Sequence, residues 1–229
     1  MDCPFIDIHR HRERETAWGY SYGVHPWWLD EKDYDPEQDL RRLKEMLDQD
    51  KLAAIGETGI DSLHEAPLAL QAEVFEKHIL LSEQYRKPLI IHNVKGNDTV
   101  LRLHRTLHPR QAWILHGFNG TAEEAVQLTG KGLYLSVGTA LLFKNRKIIQ
   151  SIKSIPLEYL FFETDTAECG VEAVYDQASS ILQIPIGRLK EIIFTNFARL
   201  NLDTWKTGKN EPDCSSETRA LIDLGRAMS

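Results

Sequence analysis

Residues 5–11, Phe5-Ile6-Asp7-Ile8-His9-Arg10-His11, begin as an apolar run and end with two histidines one residue apart. Side chains alternate between the two faces of a β-strand, so His9 and His11 are predicted to point the same way from the same strand end. Two imidazoles held on one face are suited to bind a metal ion. Taken alone, the pattern also fits two unrelated surface histidines.

Four later apolar runs are followed by further potential ligands. The runs are 52–55, 88–91, 112–115 and 159–162, and the residues that follow them are Glu57, His92, His116 and Asp165. In a parallel sheet wound with helices, such strand ends share one rim, and that rim carries the active site. The six side chains are therefore expected to supply nitrogen and oxygen donors for two divalent ions. Each one alone has an ordinary alternative, since a histidine there can be a polar loop residue and an aspartate a helix cap.

Helical segments alternate with these strands, which predicts a parallel α/β architecture. The predicted strands are 5–8, 21–24, 52–55, 88–91, 112–115, 133–137 and 159–162. One predicted helix begins at Pro36 after the capping residue Asp35, and another opens with a Thr121–Glu124 capping box. Four more span 67–86, 98–107, 144–153 and 171–182, and the last follows the apolar stripe at 189–200. In the helix at 67–86, we expect Ala72, Phe75, Ile79 and Leu80 to face the core.

Composition indicates a single globular domain without a membrane span. The chain has 229 residues, of which 42% are hydrophobic, and it contains three scattered cysteines, Cys3, Cys169 and Cys214. It shows no long apolar run and no secretory signal pattern, so a cytoplasmic location is expected. The net charge of −7 argues against a broad basic face that grips many phosphates and favours a small or terminal phosphate substrate.

Seven motifs along the chain are similar to those of the TatD family of metal-dependent hydrolases. They are Asp7-x-His9-x-His11, Gly23-Val-His25-Pro26, Gly56-Glu57-Thr-Gly59-Ile-Asp61, Pro88-Leu-Ile-Ile-His92, His116-Gly-Phe118-Asn-Gly120, Glu163-Thr-Asp165 and Asn196-Phe-Ala-Arg199-Leu. They occur in the family's order. The resemblance implies a TIM-like (β/α) barrel, two metal ions and hydrolysis, typically of phosphodiester bonds in DNA.

The resemblance also implies a role for each candidate residue. His9, His11 and Asp165 would hold one ion, His92 and His116 would hold the second, and Glu57 would bridge the two. Asp165 and Glu57 are the implied catalytic residues, with Asp165 orienting the attacking water and accepting its proton. His25 and Lys95 are predicted to contact substrate. Four histidines with two carboxylates favour zinc or manganese, and magnesium is the family's usual ion.

The chain departs from the family at one structural point, the connection between His11 and His25. His25 follows His11 by only fourteen positions, too few for the family's usual second β/α unit. We therefore expect a barrel shortened to seven strands, within a domain of residues 1–205, and the short connection leaves an antiparallel pairing of strand 21–24 open. Residues 206–229 are a polar extension with a short helix predicted at 217–226.

Further departures concern the substrate. A basic residue commonly follows the strand histidine by two positions in the family, whereas Lys95 stands three after His92, and the loop after Asp165 is acidic through Glu172. Basic candidates for phosphate contact are Lys144, Arg146 and Lys147. The favoured function is a TatD-like deoxyribonuclease or exonuclease acting on a phosphate ester or nucleic-acid end, without an obligate protein partner. The alternatives are a metal-dependent hydrolase of a lactone, amide or small phosphate ester, and a non-enzymatic interaction module.

For the remaining histidines and for two adjacent tryptophans, we predict roles outside metal binding. His64, His78, His104 and His108 lie on predicted helices or loops among charged residues, which predicts solvated side chains. Trp27 and Trp28 follow the His25-Pro26 loop, where one of them could stack on a base and at least one is expected to pack in the core.

Overall fold

Six parallel strands form one sheet in the order of the sequence. The computed structural model describes residues 3–10, 21–143 and 145–202. The strands are β1 (Ser21–Tyr22), β2 (Ala54–Asp61), β3 (Leu89–Val94), β4 (Trp113–Leu115), β5 (Tyr134–Val137) and β6 (Leu160–Phe162). Every neighbouring pair is parallel. The parallel pairing of β1 with β2 shows that an antiparallel placement of residues 21–24 is wrong.

Helices connect successive strands and cover the sheet. They are α1 (Pro36–Asp48), α2 (Leu68–Tyr85), α3 (Asn97–Leu107), α4 (Ala122–Thr129), α5 (Arg146–Ser154), α6 (Val171–Leu182) and α7 (Ile186–Arg199). The Asp35 carboxylate accepts a hydrogen bond from the Glu37 N–H at the start of α1, and Thr121 and Glu124 form the predicted capping box of α4. The alternation of strand and helix confirms the predicted α/β class.

The segment that carries His9 lies beside β6 and adds a seventh chain segment to the sheet. The Ile8 N–H donates to the Phe162 carbonyl oxygen at 3.0 Å, and the Asp165 N–H donates to the His9 carbonyl oxygen at 3.0 Å. Within this described segment, the strand-type pairing is a single parallel bridge between Arg10 and Asp165, and Ile8 lies at a bend. Residues 5–8 therefore do not form the predicted strand. In the part of the chain that the structure describes, β1 is the opposite edge of the sheet.

The core lies between the sheet and its helices. Ile55, Leu89, Ile90, Leu135 and Phe161 in the strands are fully buried. Burial of such side chains is the main favourable contribution to folding, at roughly 1.5–3 kcal/mol for each. The predicted core face of α1, Leu40, Leu43 and Leu47, is buried as well.

The inner face of α2 differs from its prediction at one residue. Phe75 and Ile79 are buried, but Leu80 is 57% exposed. The buried residues of this helix include Gln71, Val74, His78 and Ser82, which recur at intervals of three and four. Since each residue of the helix turns by about 100°, Leu80 lies on the opposite side of α2 from Gln71 and His78. The inward assignment of Leu80 is therefore wrong.

His78 was predicted to be solvated, but it is fully buried. Its Nδ1 atom lies 2.7 Å from the Val74 carbonyl oxygen, and its Nε2 atom accepts a hydrogen bond from the Val24 N–H at 3.0 Å. Nε2 is thus the unprotonated nitrogen, and Nδ1–H donates to Val74. Burial lowers the pKa of His78 to about 4, so the ring is neutral at pH 7. It joins α2 to the chain immediately before His25.

Two of the other histidines predicted to be solvated are half-buried. His64 stacks on Trp27 and lies 3.5 Å from an Asp30 carboxylate oxygen, and His104 packs edge-on against Trp113. His108 is exposed, as predicted. Aromatic contacts, which hydropathy does not report, account for the two that differ.

Some predictions fall on residues that the structure leaves undescribed. His11, Lys144, the expected short connection up to residue 20, and the extension after residue 202 lie outside the described residues. Among the helices of the described ranges, none is both long and apolar enough to cross a membrane.

Candidate metal centre

The carboxylate of Glu57 lies at the centre of a group of four histidines. Its Oε2 atom is 3.3 Å from His9 Nε2, and its Oε1 atom is 3.2 Å from His25 Nε2, 2.9 Å from His92 Nδ1 and 2.5 Å from His116 Nε2. The Glu57 side chain is only 6% exposed. A buried carboxylate is therefore approached on both oxygens by imidazole nitrogens from four separate segments of the chain.

Two glycines bring β2 close to β3 on either side of Glu57. A Cβ atom at Gly56, where φ is +137°, would lie 2.3 Å from the Ile90 carbonyl oxygen. A Cβ atom at Gly59, where φ is +143°, would lie 2.1 Å from the His92 carbonyl oxygen. Only glycine fits such approaches and dihedral angles. In this register Gly59 pairs with His92, which places the carboxylate of Glu57 against the His92 ring.

The donor atoms divide into two groups that share Glu57. His9, Glu57 and His116 form one group, and His25, Glu57 and His92 form the other, with the ligand atoms of each group within 4.8 Å of one another. The rings of His9 and His116 have their centroids 4.3 Å apart. Imidazole nitrogens and carboxylate oxygens are the donors that zinc and related divalent ions use in proteins. The residues present therefore fit metal ions.

Two further carboxylates stand behind the histidines and were not predicted as functional. Asp61 Oδ2 is 3.1 Å from His92 Nε2, and Glu163 Oε1 is 3.6 Å from His116 Nδ1 while accepting a hydrogen bond from the Gly117 N–H at 2.6 Å. Such carboxylates orient metal-binding histidines and raise their basicity. Both residues belong to motifs quoted above, but their roles depend on contacts between strands.

The carboxylates affect the ionisation of this region. Burial opposes a charge on His116, but Glu163 and Glu57 outweigh it and raise the pKa of the His116 imidazole to about 10. Burial also opposes ionisation of Asp61, yet hydrogen bonds from Trp27, the Leu63 N–H and His92 hold the pKa of its carboxyl below the usual value. Glu57 and Glu163 thus favour positive charge next to them, whether it is carried by His116 or by a bound cation.

Asp165 lies beside His9 at the accessible side of the centre. Its Oδ1 atom is 3.8 Å from His9 Nε2, and its side chain is 40% exposed. Asp165 has φ of +53°, a left-handed conformation that aspartate and asparagine tolerate better than most residues. The neighbouring Thr164 donates from its N–H and its hydroxyl group to the two carboxylate oxygens of Asp7, at 3.0 and 2.6 Å. These bonds fasten the His9 segment to the end of β6.

The structure brings together most of the residues predicted to bind metal. His9, Glu57, His92 and His116 converge, Asp165 lies next to His9, and His11 is outside the described residues. The grouping differs from the one that the resemblance implies, because His116 lies with His9, and because His25, predicted to contact substrate, is within ligand range beside His92. The assignment of particular ligands to particular ions stays a prediction.

A cavity of about 390 Å³ opens next to His116. Its polar lining comes from Asn93, Lys95, Asn97, Asn119, Glu124 and Lys147. Lys95 has an exposed side chain and a left-handed backbone, with φ of +49°, and its carbonyl oxygen accepts a hydrogen bond from the Ser62 hydroxyl group. Lys147 and Arg146 are exposed in the first turn of α5. Two lysines thus reach one cavity from different elements.

A parallel α/β sheet that presents histidines and carboxylates at its C-terminal rim is typical of metal-dependent hydrolases. Residues 5–201 match the TatD-related DNase family, and the chain belongs to that family. The match covers the segments from the His9 strand-like region to the end of α7. The predicted family and the TIM-barrel-like fold class are thereby confirmed.

Similar proteins from bacteria and yeast agree with the family assignment. The chain is 36% identical over 132 residues to YabD of Bacillus subtilis, an uncharacterized metal-dependent hydrolase, covering 56% of this chain and 52% of YabD. It is 28% identical over 197 residues to the metal-dependent hydrolase YcfH of Escherichia coli K12, covering 79% of this chain and 72% of YcfH. It is also 30% identical over 145 residues to "Deoxyribonuclease Tat-D" of Schizosaccharomyces pombe, covering 59% of this chain and 46% of that protein. The chain thus spans about half the length of YabD and of the yeast protein.

Solved structures share the fold. The TatD homolog YjjV of Escherichia coli K12 superimposes with a TM-score of 0.68 at 23% identity, over 79% of this chain and 75% of that chain. A TatD family hydrolase from Entamoeba histolytica gives a TM-score of 0.66 at 22% identity, over 77% and 72% of the two chains. At these identities the likeness concerns the fold alone.

Proposed function

We propose that this protein is a two-metal hydrolase of phosphodiester bonds that acts on DNA ends as a deoxyribonuclease or exonuclease. The observation that carries the proposal is the Glu57 carboxylate with His9, His25, His92 and His116 around it. The yeast relative named a deoxyribonuclease supports the choice of bond. A structural ion pair requires one imidazole for one carboxylate, so four imidazoles around a buried carboxylate favour a metal-binding role.

Each residue of the centre would have a separate role in binding metal or in orienting a ligand. His9, His11 and Asp165 would hold one ion, His92 and His116 the other, and Glu57 both, with His25 as an additional donor that the geometry brings into range. Bound divalent ions would lower the pKa of water and neutralise charge on the phosphoryl group in the transition state. Asp61 and Glu163 would fix the orientation of the His92 and His116 rings.

Asp165 is the residue that we propose as the general base, and its exposure and its position beside His9 support this role. Its carboxylate is partly exposed and lies beside His9, whereas Glu57 is enclosed by four rings. An accessible carboxylate at the edge of the donor group can accept a proton from the attacking water and release it to solvent. General-base catalysis by such a group contributes typically about 10²–10⁴-fold in rate.

The substrate proposed is a short or open-ended phosphate ester and not long duplex DNA. The net charge is −7, and the exposed residues Glu168 and Glu172 follow Asp165 on the catalytic rim. These carboxylates repel a polyanion, while Lys95 and Lys147 offer positive charge at one cavity only. The same acidic rim favours the second candidate, a metal-dependent hydrolase of a small lactone, amide or phosphate ester.

A metal-reconstitution assay with end-labelled DNA tests the proposal. Protein stripped with a chelator should be inactive on a single-stranded oligonucleotide and should shorten it from one end after manganese or magnesium is added. Because few phosphates are neutralised, the logarithm of the binding constant should fall only slightly with the logarithm of salt concentration. Hydrolysis of a lactone or amide without any cleavage of DNA would select the second candidate, and tight, steeply salt-dependent duplex binding without metal would contradict the open-ended substrate.

Lys95→Ala should raise the KM for the oligonucleotide about tenfold and leave kcat within about twofold. Lys95 lines the cavity beside His116 without touching the donor group, so it contributes binding that is similar in the ground state and the transition state. Steady-state kinetics on the reconstituted protein would measure both constants. Lys95→Arg should restore most of the KM, and Lys44→Ala on the exposed side of α1 is the matched control. A fall in kcat with KM unchanged would place Lys95 in the chemical step instead.

A further inference from the structure

We propose that the exposed face of Trp27 is a stacking platform for the base of the terminal nucleotide. This inference rests on the proposed function and names the part of the substrate that the protein recognises beside the metal centre. It assigns the recognition to an aromatic surface and not to a basic groove.

Trp27 is a large apolar side chain left in solvent at the catalytic rim. Trp27 is 50% exposed, whereas the adjacent Trp28 is partly buried and packs against the core and Tyr34. The two tryptophans therefore have different roles, and the core packing expected for at least one of them is performed by Trp28. Exposed tryptophan near a catalytic centre commonly marks a binding surface.

The indole ring of Trp27 is held in place although about half of the residue is exposed. Its Nε1–H donates to Asp61 Oδ2 at 2.7 Å, and its backbone N–H donates to His25 Nδ1 at 3.1 Å. The His64 ring lies nearly parallel to it, at 14° and with 5.6 Å between centroids, and is itself 3.5 Å from an Asp30 carboxylate oxygen. A ring fixed in this way loses little conformational entropy when a ligand stacks on it.

The platform adjoins the proposed reaction site. The Trp27 ring centroid is 4.9 Å from that of His25 and 5.9 Å from that of His92, and both histidines contact Glu57. A base stacked on Trp27 therefore belongs to a nucleotide whose phosphate is within reach of the donor group. Lys95 follows His92 in the sequence and lines the neighbouring cavity, where it can meet the same or the next phosphate.

Stacking also explains how an acidic protein could hold a nucleic-acid end. The net charge of −7 leaves little general attraction for phosphates. Base–aromatic stacking is insensitive to charge and tolerates every base, since each base has a flat π face. An unpaired terminal base is free to stack, whereas a base inside a duplex is not, which agrees with an open-ended substrate.

The test compares Trp27→Phe with Trp27→Leu. Both variants lose the hydrogen bond to Asp61, but only phenylalanine keeps an aromatic face, so the difference between them isolates stacking. With the manganese-loaded protein and thymidylyl-thymidine as substrate, Trp27→Leu should have a KM about tenfold above that of Trp27→Phe, within the range known for base–aromatic contacts. With the matching dinucleotide analogue that lacks the base, the two variants should have equal KM values.

Binding measurements separate this inference from the proposed function. Calorimetry should show that thymidine 5′-monophosphate binds more tightly to Trp27→Phe than to Trp27→Leu, and that deoxyribose 5-phosphate binds equally to both. Leu80→Ala, on the exposed side of α2, should match the wild type throughout. Equal affinity of the two Trp27 variants for the nucleotide would overturn the platform even if DNA is cleaved. A retained difference in a protein that cleaves no phosphodiester would uphold the platform and reject the proposed function.

Discussion

Asp165→Asn is expected to lower kcat by about 10²-fold or more while the fold and most of the bound metal are retained. The asparagine side chain has the same size and tolerates the left-handed backbone, φ +53°, that residue 165 adopts. The hydrogen bond from the residue 165 N–H to the His9 carbonyl oxygen is made by the backbone and is unaffected. What the amide cannot do is accept a proton from water.

Single-turnover kinetics and metal analysis on the same preparation would check this expectation. Asp176→Asn, on the exposed side of α6, makes the same chemical change away from the centre and should leave both quantities at wild-type values. Turnover close to wild type in Asp165→Asn would remove Asp165 from the mechanism. A complete loss of metal with the loss of turnover would make Asp165 chiefly a ligand.

Glu57→Gln should lower metal occupancy at both positions and abolish activity with it. The Glu57 carboxylate belongs to both donor groups, and its two oxygens face four histidines. An amide offers one oxygen, and its NH₂ group would point a donor at an imidazole nitrogen or at a cation. The substitution therefore removes negative charge and an acceptor from both groups at once.

Metal content of the purified variant, measured by mass spectrometry after loading with zinc or manganese, would test the shared role. Glu163→Gln is the informative comparison, because among the described histidines Glu163 pairs with His116 alone, and its oxygen can still accept from the Gly117 N–H after the change. It should weaken one position and spare the other. The loss of a single ion from Glu57→Gln would show that Glu57 does not bridge.

The alternation of apolar runs with capped helices was enough to predict the α/β class and the bounds of most elements. Val171–Leu182 coincides with its predicted helix, and Asp35 and Thr121 cap the helices expected of them. These features are local, since a cap and the helix it starts are neighbours in sequence. Whether β1 pairs parallel or antiparallel is not a local property, because it depends on the strand that lies beside β1. The short connection before β1 was not enough to predict this direction.

The residues of the candidate site also divide into those that sequence could predict and those that depend on contacts between strands. The order of apolar runs and polar residues predicted the convergence of His9, Glu57, His92 and His116 at one rim. The strand ends were predicted too early, because Glu57 and His92 lie within β2 and β3 and not after them. The carboxylates behind the rings, Asp61 and Glu163, depend on distances between side chains of different strands. No spacing within one segment reports those distances.

Burial of polar residues was the hardest property to predict. His78 lies among charged neighbours in the sequence, yet it is enclosed because the α2 face that carries it packs on the sheet. Its two hydrogen bonds to backbone groups satisfy it as a neutral ring. Hydropathy treats such a histidine as exposed, whereas the helical period of Gln71, Val74 and Ser82 places it inside.

The donors around Glu57 come from four other segments of the chain, beginning at His9 and ending at His116, with Asp165 added from a fifth. Ions bound there would act as cross-links between residues far apart in sequence, and the free energy of binding them would count as free energy of folding. A chain with one strand out of register could not load metal. Metal loading would thus serve as a checkpoint that separates correctly assembled molecules from the rest, so catalytic competence and structural integrity would be acquired together.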